Sequence, residues 1–280
     1  MKRTLSRQKK YWYKKTQPLL KFLEAMSRKN LTVMAAGIAY YTLLAVFPAM
    51  AASMAIVLFI LEPSQIETIV LGLSAYVPKE IIDMLIITLG KQAGLGSNLV
   101  MAGVGVVIAL FGASGAIENT TKALNAMYDK KETRNPVRLR ILSIILTIGA
   151  LCLVAVVAAL MLLSYGQLVY WGVPEWSALL LSMMRWPLAI ILINFSIMLL
   201  FRYGANRERS IWRFTTPGAS LATILWLVVT TVFFGYLQHY AGFARSYSIF
   251  AGIIALMVWF NLSAIAILVG ALFDSRRKVN

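Results

Sequence analysis

Polar and apolar positions are segregated along this chain. Apolar residues gather in runs of about 20 or more positions nearly free of charge, the length a helix needs to cross a bilayer core. Six such runs stand out, near 31–61, 98–117, 139–165, 178–202, 217–237 and 247–273. The pattern predicts an all-α fold: a polytopic membrane protein with six transmembrane helices. Short amphipathic helices are expected in the N-terminal arm and in the first external loop. The domain reading is a basic cytoplasmic arm over 1–30, a transmembrane domain over 31–273 and a cytoplasmic tail over 274–280.

Local signals refine the elements. Asn30 is placed to cap the first crossing. Pro48 lies inside that crossing, where its missing N–H and its ring predict a kink between Leu44 and Pro48. Residues 62–97 read as an external excursion. Ser64 and Glu67 have capping-box spacing ahead of an apolar stripe, and Pro78 opens a second short helix that Gly90 or Gly94 closes. The second crossing is rich in small residues (Gly103, Gly105, Gly112, Ala113, Ser114, Gly115), which let helix backbones approach. It continues as a polar helix through Tyr128 and meets a basic loop interrupted by Pro136. Trp171 and Trp176 suit an interfacial belt in the loop 166–177. Thr216 and Pro217 read as cap and first residue of the fifth crossing.

Composition sharpens this picture. The 280 residues are 60% hydrophobic and 14% charged, against roughly half and a quarter in soluble domains. The formal net charge of +16 would suggest a nucleic-acid partner in a soluble protein. Its distribution gives another cause. Of the 27 Lys and Arg, all but Lys79, Lys91, Arg185 and Arg245 fall in the arm, in the second-to-third and fourth-to-fifth connections, or in the tail. Basic residues collect in cytoplasmic loops, so both termini are expected in the cytoplasm, with no nucleic acid. The arm mixes bases with Tyr11, Trp12, Tyr13, Leu19, Leu20, Phe22 and Leu23, which suits the anionic headgroups of a leaflet or a solvated tail. It lacks a cleavable signal, so the first crossing reads as an uncleaved anchor.

Few residues carry chemistry. Cys152 is the sole cysteine, and His239 is the sole histidine. That excludes an intrachain disulfide and a Cys or multi-His metal centre. No Walker loop is present. Neither a metal nor any other cofactor is expected, and no residue reads as catalytic. Polar groups inside a bilayer are costly and need a partner or a wet cavity. Tyr40 and Tyr41, beside Gly37 and Pro48, either line a cavity or bond neighbouring backbone. Arg185 either snorkels to headgroups or contacts an anion or lipid phosphate. Asn194 and Asn261 either bond across helices or line a substrate path. Gly37, Gly112, Gly115, Gly252, Ser263 and Gly270 read as helix-packing positions.

The run Ala35-Ala36-Gly37-Ile38-Ala39-Tyr40-Tyr41-Thr42-Leu43-Leu44-Ala45-Val46-Phe47-Pro48 resembles the YihY/BrkB family of bacterial inner-membrane proteins, formerly labelled ribonuclease BN. Ala123-Leu124-Asn125 with Tyr128, Pro217-Gly218-Ala219 with Trp226, and Ser246-Tyr247-Ser248 through Gly252, Trp259, Leu262-Ser263-Ala264 and Gly270-Ala271 agree in order. One position departs: family members often carry an acid where Leu272 stands, and here Asp274 follows two residues on. The resemblance implies six transmembrane helices, a bacterial inner-membrane location and a transporter or exporter. The expected substrate is a lipid or a small anionic or amphipathic solute. The alternatives are a non-transporting scaffold or envelope-integrity protein and, remotely, a ribonuclease. The last would need clustered carboxylates or histidines that the sparse acids do not supply. Membrane lipids are the expected partners, and a homo-oligomer is compatible with six helices.

Overall fold

The computed structural model describes residues 17, 20–60, 99–206, 216–240 and 248–277. The expected external segment 62–97, most of the arm, Arg245 and the end of the tail lie outside them. Among the described residues every regular element is helical. The elements are α1 (Leu20–Arg28), α2 (Leu31–Ile60), α3 (Leu99–Met127), α4 (Pro136–Leu162), α5 (Tyr165–Tyr170), α6 (Glu175–Leu199), α7 (Pro217–Tyr240) and α8 (Ser248–Arg277). A π-helical turn, Leu200–Gly204, continues α6.

Among the described residues four helices are long and apolar enough to cross a membrane: Pro136–Met161, Glu175–Gly204, Pro217–Leu237 and Gly252–Arg276. The pair α1 and α2, bent by 54°, makes up to five if it counts as one span. The exposed faces of these helices are apolar. Ile145, Val154, Ile191, Val228, Val232 and Ile254 all point outward. In water such a surface would be untenable, and in lipid it is the solvated face. The protein is a membrane protein on this ground.

The chain divides into two compact units, Met1–Leu43 with Ser114–Asn280, and Leu44–Ala113. The smaller unit holds the second part of α2 and the first part of α3. Its boundary in α2 falls at Leu44, whose carbonyl is the one that Pro48 leaves without a donor. The helical assignment runs on through Pro48 to Ile60.

The larger unit has one well-buried end. There Ala25 of α1, Leu31 and Ala35 of α2, Ala123, Leu124 and Met127 of α3, Met198 and Phe201 of α6, Ala219 and Ala222 of α7, and Leu268 and Ala271 of α8 form one core. Half of these residues are alanines, which let backbones approach where several helix ends converge. The tightest approach joins α7 to α8. A Cβ on Gly270 would overlap the carbonyl oxygen of Gly218 and stand 2.6 Å from Ala222 Cβ.

Helix ends follow local chemistry. Asn135 Oδ1 accepts from the Val137 amide, and Pro136 sits at the start of α4. The proline expected to break the loop therefore opens the helix, where its missing N–H costs nothing. Thr216 Oγ1 accepts from the Ala219 amide as the cap of α7. Asn30, expected as a helix cap, takes a left-handed φ of 49° and turns the chain between α1 and α2. Asparagine adopts that conformation more readily than most residues.

Candidate functional site

Two groups of polar residues stand out in the larger unit. One lies at the well-buried end, which is also the basic end, and the other lies along the spans.

At the basic end the turn between α3 and α4 is tied to the end of α6. The Arg134 guanidinium donates to both carboxylate oxygens of Glu132 at 2.7 and 2.6 Å. It also reaches the carbonyls of Tyr203 at 3.3 Å and Gly204 at 2.7 Å. These are last-turn carbonyls, which have no partner within their own helix. Arg134 thus caps the π-helical turn. Asn125, buried on α3, donates to Glu132 at 2.7 Å and accepts from the Asn206 amide at 2.6 Å. Asn206 in turn donates to the Lys131 carbonyl and to Thr133 Oγ1. The hydrogen bonds from Arg134 hold the Glu132 carboxyl below the usual carboxylate range, against the upward pull of its partial burial.

Two further ties close this end. Lys29 donates to the Ala126 and Met127 carbonyls at 3.0 and 2.8 Å and pairs with Asp129 at 2.7 Å. A cation at the C-terminus of α3 also meets the negative end of the helix dipole. Tyr128 donates to Asp274 at 3.1 Å, and Asp274 is only 4% exposed. The side chain of Asp274 also abuts Gly218.

Along the spans, hydroxyls are mostly satisfied within their own helices. Thr42, Thr120, Ser143, Thr147 and Thr223 each donate to the carbonyl four residues earlier. Cross-helix bonds join α7 to its neighbours. Asn194 donates to Thr223 at 3.0 Å, Trp226 to Ser263 at 3.2 Å, and Trp259 to Thr230 at 3.2 Å. Asn194 is therefore engaged between α6 and α7. Ser263 takes part in the seam between α7 and α8.

Tyr40 and Tyr41 differ. Their rings meet edge to face, 5.5 Å apart. They are 50% and 42% exposed, and no described residue bonds either hydroxyl. Tyrosine cannot bend back to its own helix as threonine does. At 1.5 Å per residue, Tyr41 lies roughly 15 Å along α2 from Leu31, about mid-depth in a bilayer core of ~30 Å. Gly37, on the same face, has open space beside it.

Arg185 donates to the Met161 carbonyl at 3.1 Å and lies over the Trp186 ring at 5.6 Å. Its buried Nε has no partner among the described residues. Counted from Gly204, Arg185 is roughly 28 Å along the span, near the edge of the core away from the basic end. Asn261 is half-buried on α8, with no bond to a described residue. Pro48 lies in the smaller unit.

Tyr40 and Tyr41 are brought together, and Asn194 is joined to Thr223. No described contact links these to Arg185 or Asn261. Of the glycines expected to pack, Gly270 is pressed against α7. A Cβ placed on Gly37, Gly115 or Gly252 would instead meet nothing within 4 Å. Gly112 is half-buried.

The stretches that carry the sequence resemblance meet at the basic end: Ala35, Leu124 with Tyr128, Gly218-Ala219, and Gly270-Ala271. A family model described as virulence factor BrkB matches residues 22–278. The chain belongs to the BrkB family. The ribonuclease-like protein YfkH of Bacillus subtilis is 30% identical to it over 256 residues, covering 87% of this chain and 90% of that one. The UPF0761 membrane protein PSHAa0171 of Pseudoalteromonas translucida is 26% identical over 248 residues, covering 86% of this chain and 79% of that one. No solved structure matches. In this BrkB-family chain Asp274, two residues past the expected place of the acid, is turned into the core against Tyr128.

The polar tie around Arg134 was not foreseen as a unit. Asn125 and Asn206 are 81 positions apart, a pairing that no periodicity reveals. The one local hint was Glu132 two positions before Arg134, in a turn closed by Asn135-Pro136.

Proposed function

We propose that this protein is a transporter of the bacterial inner membrane, with six crossings and both termini in the cytoplasm. Its substrate is a lipid or a small anionic or amphipathic solute. The basic end is the cytoplasmic end, by the distribution of Lys and Arg. The helix α3, with 29 residues, is long enough for a crossing.

The observation that carries the reading is the Tyr40–Tyr41 pair. Two phenol hydroxyls are exposed and without a described partner, and a crossing that starts at Leu31 would put them near mid-depth. Tyrosine is favoured at membrane interfaces, where its polar tip is wet. Facing acyl chains at mid-depth, each hydroxyl would stay unsatisfied at a cost of about 1–3 kcal/mol. A face lined by water or a polar substrate removes that cost. The path runs beside α2, α6 and α8, lined by Tyr40, Tyr41 and Asn261. Asn194 holds its wall, and Arg185 stands at the far mouth as an anion contact.

A scaffold would use its outer faces to recruit partners, with no need for midplane hydroxyls. A ribonuclease, which the name of the Bacillus relative suggests, would need a cluster of metal ligands or general acids and bases. Among the described residues no group of three or more His, Cys, Asp or Glu is placed to hold a metal ion.

The test is reconstitution of the full chain into vesicles that carry an acidic phospholipid with a fluorescent acyl chain. Transfer between leaflets is read by an impermeant quencher. The wild type should accelerate transfer. Tyr40→Phe/Tyr41→Phe should slow it without lowering thermal stability, and Arg185→Ala should slow it beyond what its lost bond to Met161 takes from stability. No acceleration by the wild type rejects lipid as substrate, and unchanged transfer in both variants rejects the path.

A further inference from the structure

The short helix α1 has two faces. Phe22, Ala25 and Met26 turn toward the core at the basic end, where Ala25 is buried. The opposite arc is exposed and is itself divided. At about 100° per residue, Leu20, Leu23 and Ser27 form one edge, and Lys21 and Arg28 form the other, with Glu24 between. Leu20 and Leu23 are 52% and 50% exposed. The side chains of Lys21 and Arg28 make no hydrogen bond or ion pair with a described residue. An apolar edge beside a basic edge is the arrangement of a helix lying in the headgroup layer.

The orientation of α1 is fixed from both ends. Asn30, with its left-handed φ, sets the 54° bend to α2. Arg276, near the end of α8, donates to the Lys21 carbonyl at 2.9 Å, and its guanidinium lies over the Phe22 ring at 5.6 Å. Lys29 binds the end of α3 directly after α1. A helix that leaves a span at a 54° bend, at the depth where that span ends, departs from the span's axis into the headgroup layer.

We propose that α1 is an interfacial docking helix for acidic phospholipids of the leaflet at the basic end. Leu20 and Leu23 enter the acyl boundary, and Lys21 and Arg28 contact the headgroup phosphates. Charge complementarity selects this occupant over a protein partner: the basic edge pairs with no described residue, and Glu24 alone separates it from the apolar edge. The inference is independent of transport, because its readouts need no substrate flux.

The test uses the full chain in nanodiscs. In a Cys152→Ser background, nitroxide labels are placed at Leu23→Cys and, as a control in the α3–α4 turn, at Lys130→Cys. The Leu23 label should collide with oxygen and be shielded from a water-soluble nickel chelate, whereas the Lys130 label should be reached by the chelate. In parallel, spin-labelled phosphatidylglycerol and phosphatidylcholine are compared at the wild type and at Lys21→Gln/Arg28→Gln. Selectivity for phosphatidylglycerol at this site should fall by about fivefold per charge removed. Chelate access at Leu23 equal to that at Lys130 overturns the docking. Shielding of Leu23 from both collision agents marks a protein partner and overturns it as well. Unchanged lipid selectivity in the double variant overturns the choice of acidic headgroups.

Discussion

Replacing Arg134 with alanine should destabilise the protein more than any substitution of an exposed base. Arg134 and Glu132 are largely sequestered, with 14% and 21% of their side-chain surfaces accessible. The substitution removes two bonds to Glu132 and two to the last-turn carbonyls of Tyr203 and Gly204. Glu132 keeps the bond from Asn125 but loses its counter-charge. Removing one partner of a buried, hydrogen-bonded pair costs about 3–5 kcal/mol. Residual access to water argues for the lower end, about 3 kcal/mol. At about 2–4 °C per kcal/mol for chains approaching this size, the apparent Tm should fall by about 6–12 °C. Arg134→Lys keeps the charge but loses the fork that spans carboxylate and carbonyls, so it should recover only part of the loss. The assay is thermal unfolding of the full chain in detergent, followed by retention of the monodisperse peak after heating. Arg138→Ala is the control, since Arg138 is exposed and bonds no described residue. An Arg134→Ala variant that melts within a degree of Arg138→Ala would refute the role given to this tie.

Two further outcomes follow from the same end of the molecule. Glu132 has a depressed pKa in the fold, so its stabilising contribution is present above the ordinary carboxylate value of about 4.3 and is lost as pH falls through the lower folded value. The difference in melting temperature between wild type and Glu132→Gln should thus be constant near neutrality and shrink below about pH 4; a difference that grows on acidification contradicts this sign. Gly270→Ala places a methyl against Gly218 and Ala222, costing about 1–3 kcal/mol in overpacking, offset by about 1 kcal/mol of helix propensity. It should lower thermal stability where Gly37→Ala, with open space beside it, does not; equal behaviour of the two would show that α7 and α8 do not touch as described.

Much of the architecture was legible because lipid imposes a coarse rule. A helix that crosses a bilayer must keep its polar backbone internal and its side chains apolar over about 20 residues. The long runs therefore announced helices directly, and the resemblance over four separated stretches announced the family. Ends were less legible. Pro136 reads as a loop breaker in sequence, whereas Asn135 caps the helix that this proline opens. Crossing number is harder to read, because four described helices are long and apolar enough to span, or five with the bent pair. Candidate polar residues were found by depth in the apolar runs, which needs no partner. Their pairings were not found, because Asn194 with Thr223 and Tyr128 with Asp274 join distant helices. Nothing in the spacing of Asp274 from Leu272 tells that both positions are buried at this end.

The reading of this protein as a transporter depends on whether the Tyr41 face of α2 meets water or acyl chains. A single native cysteine makes the measurement clean. In Cys152→Ser proteoliposomes, Tyr41→Cys is compared with Ile145→Cys, an exposed residue of α4 nine positions from Pro136 and hence at similar depth. Each is treated with a water-soluble maleimide. The transport reading predicts rapid modification at position 41 and almost none at 145. Equal resistance at both positions would mean that Tyr41 faces lipid, and the proposed path would not exist.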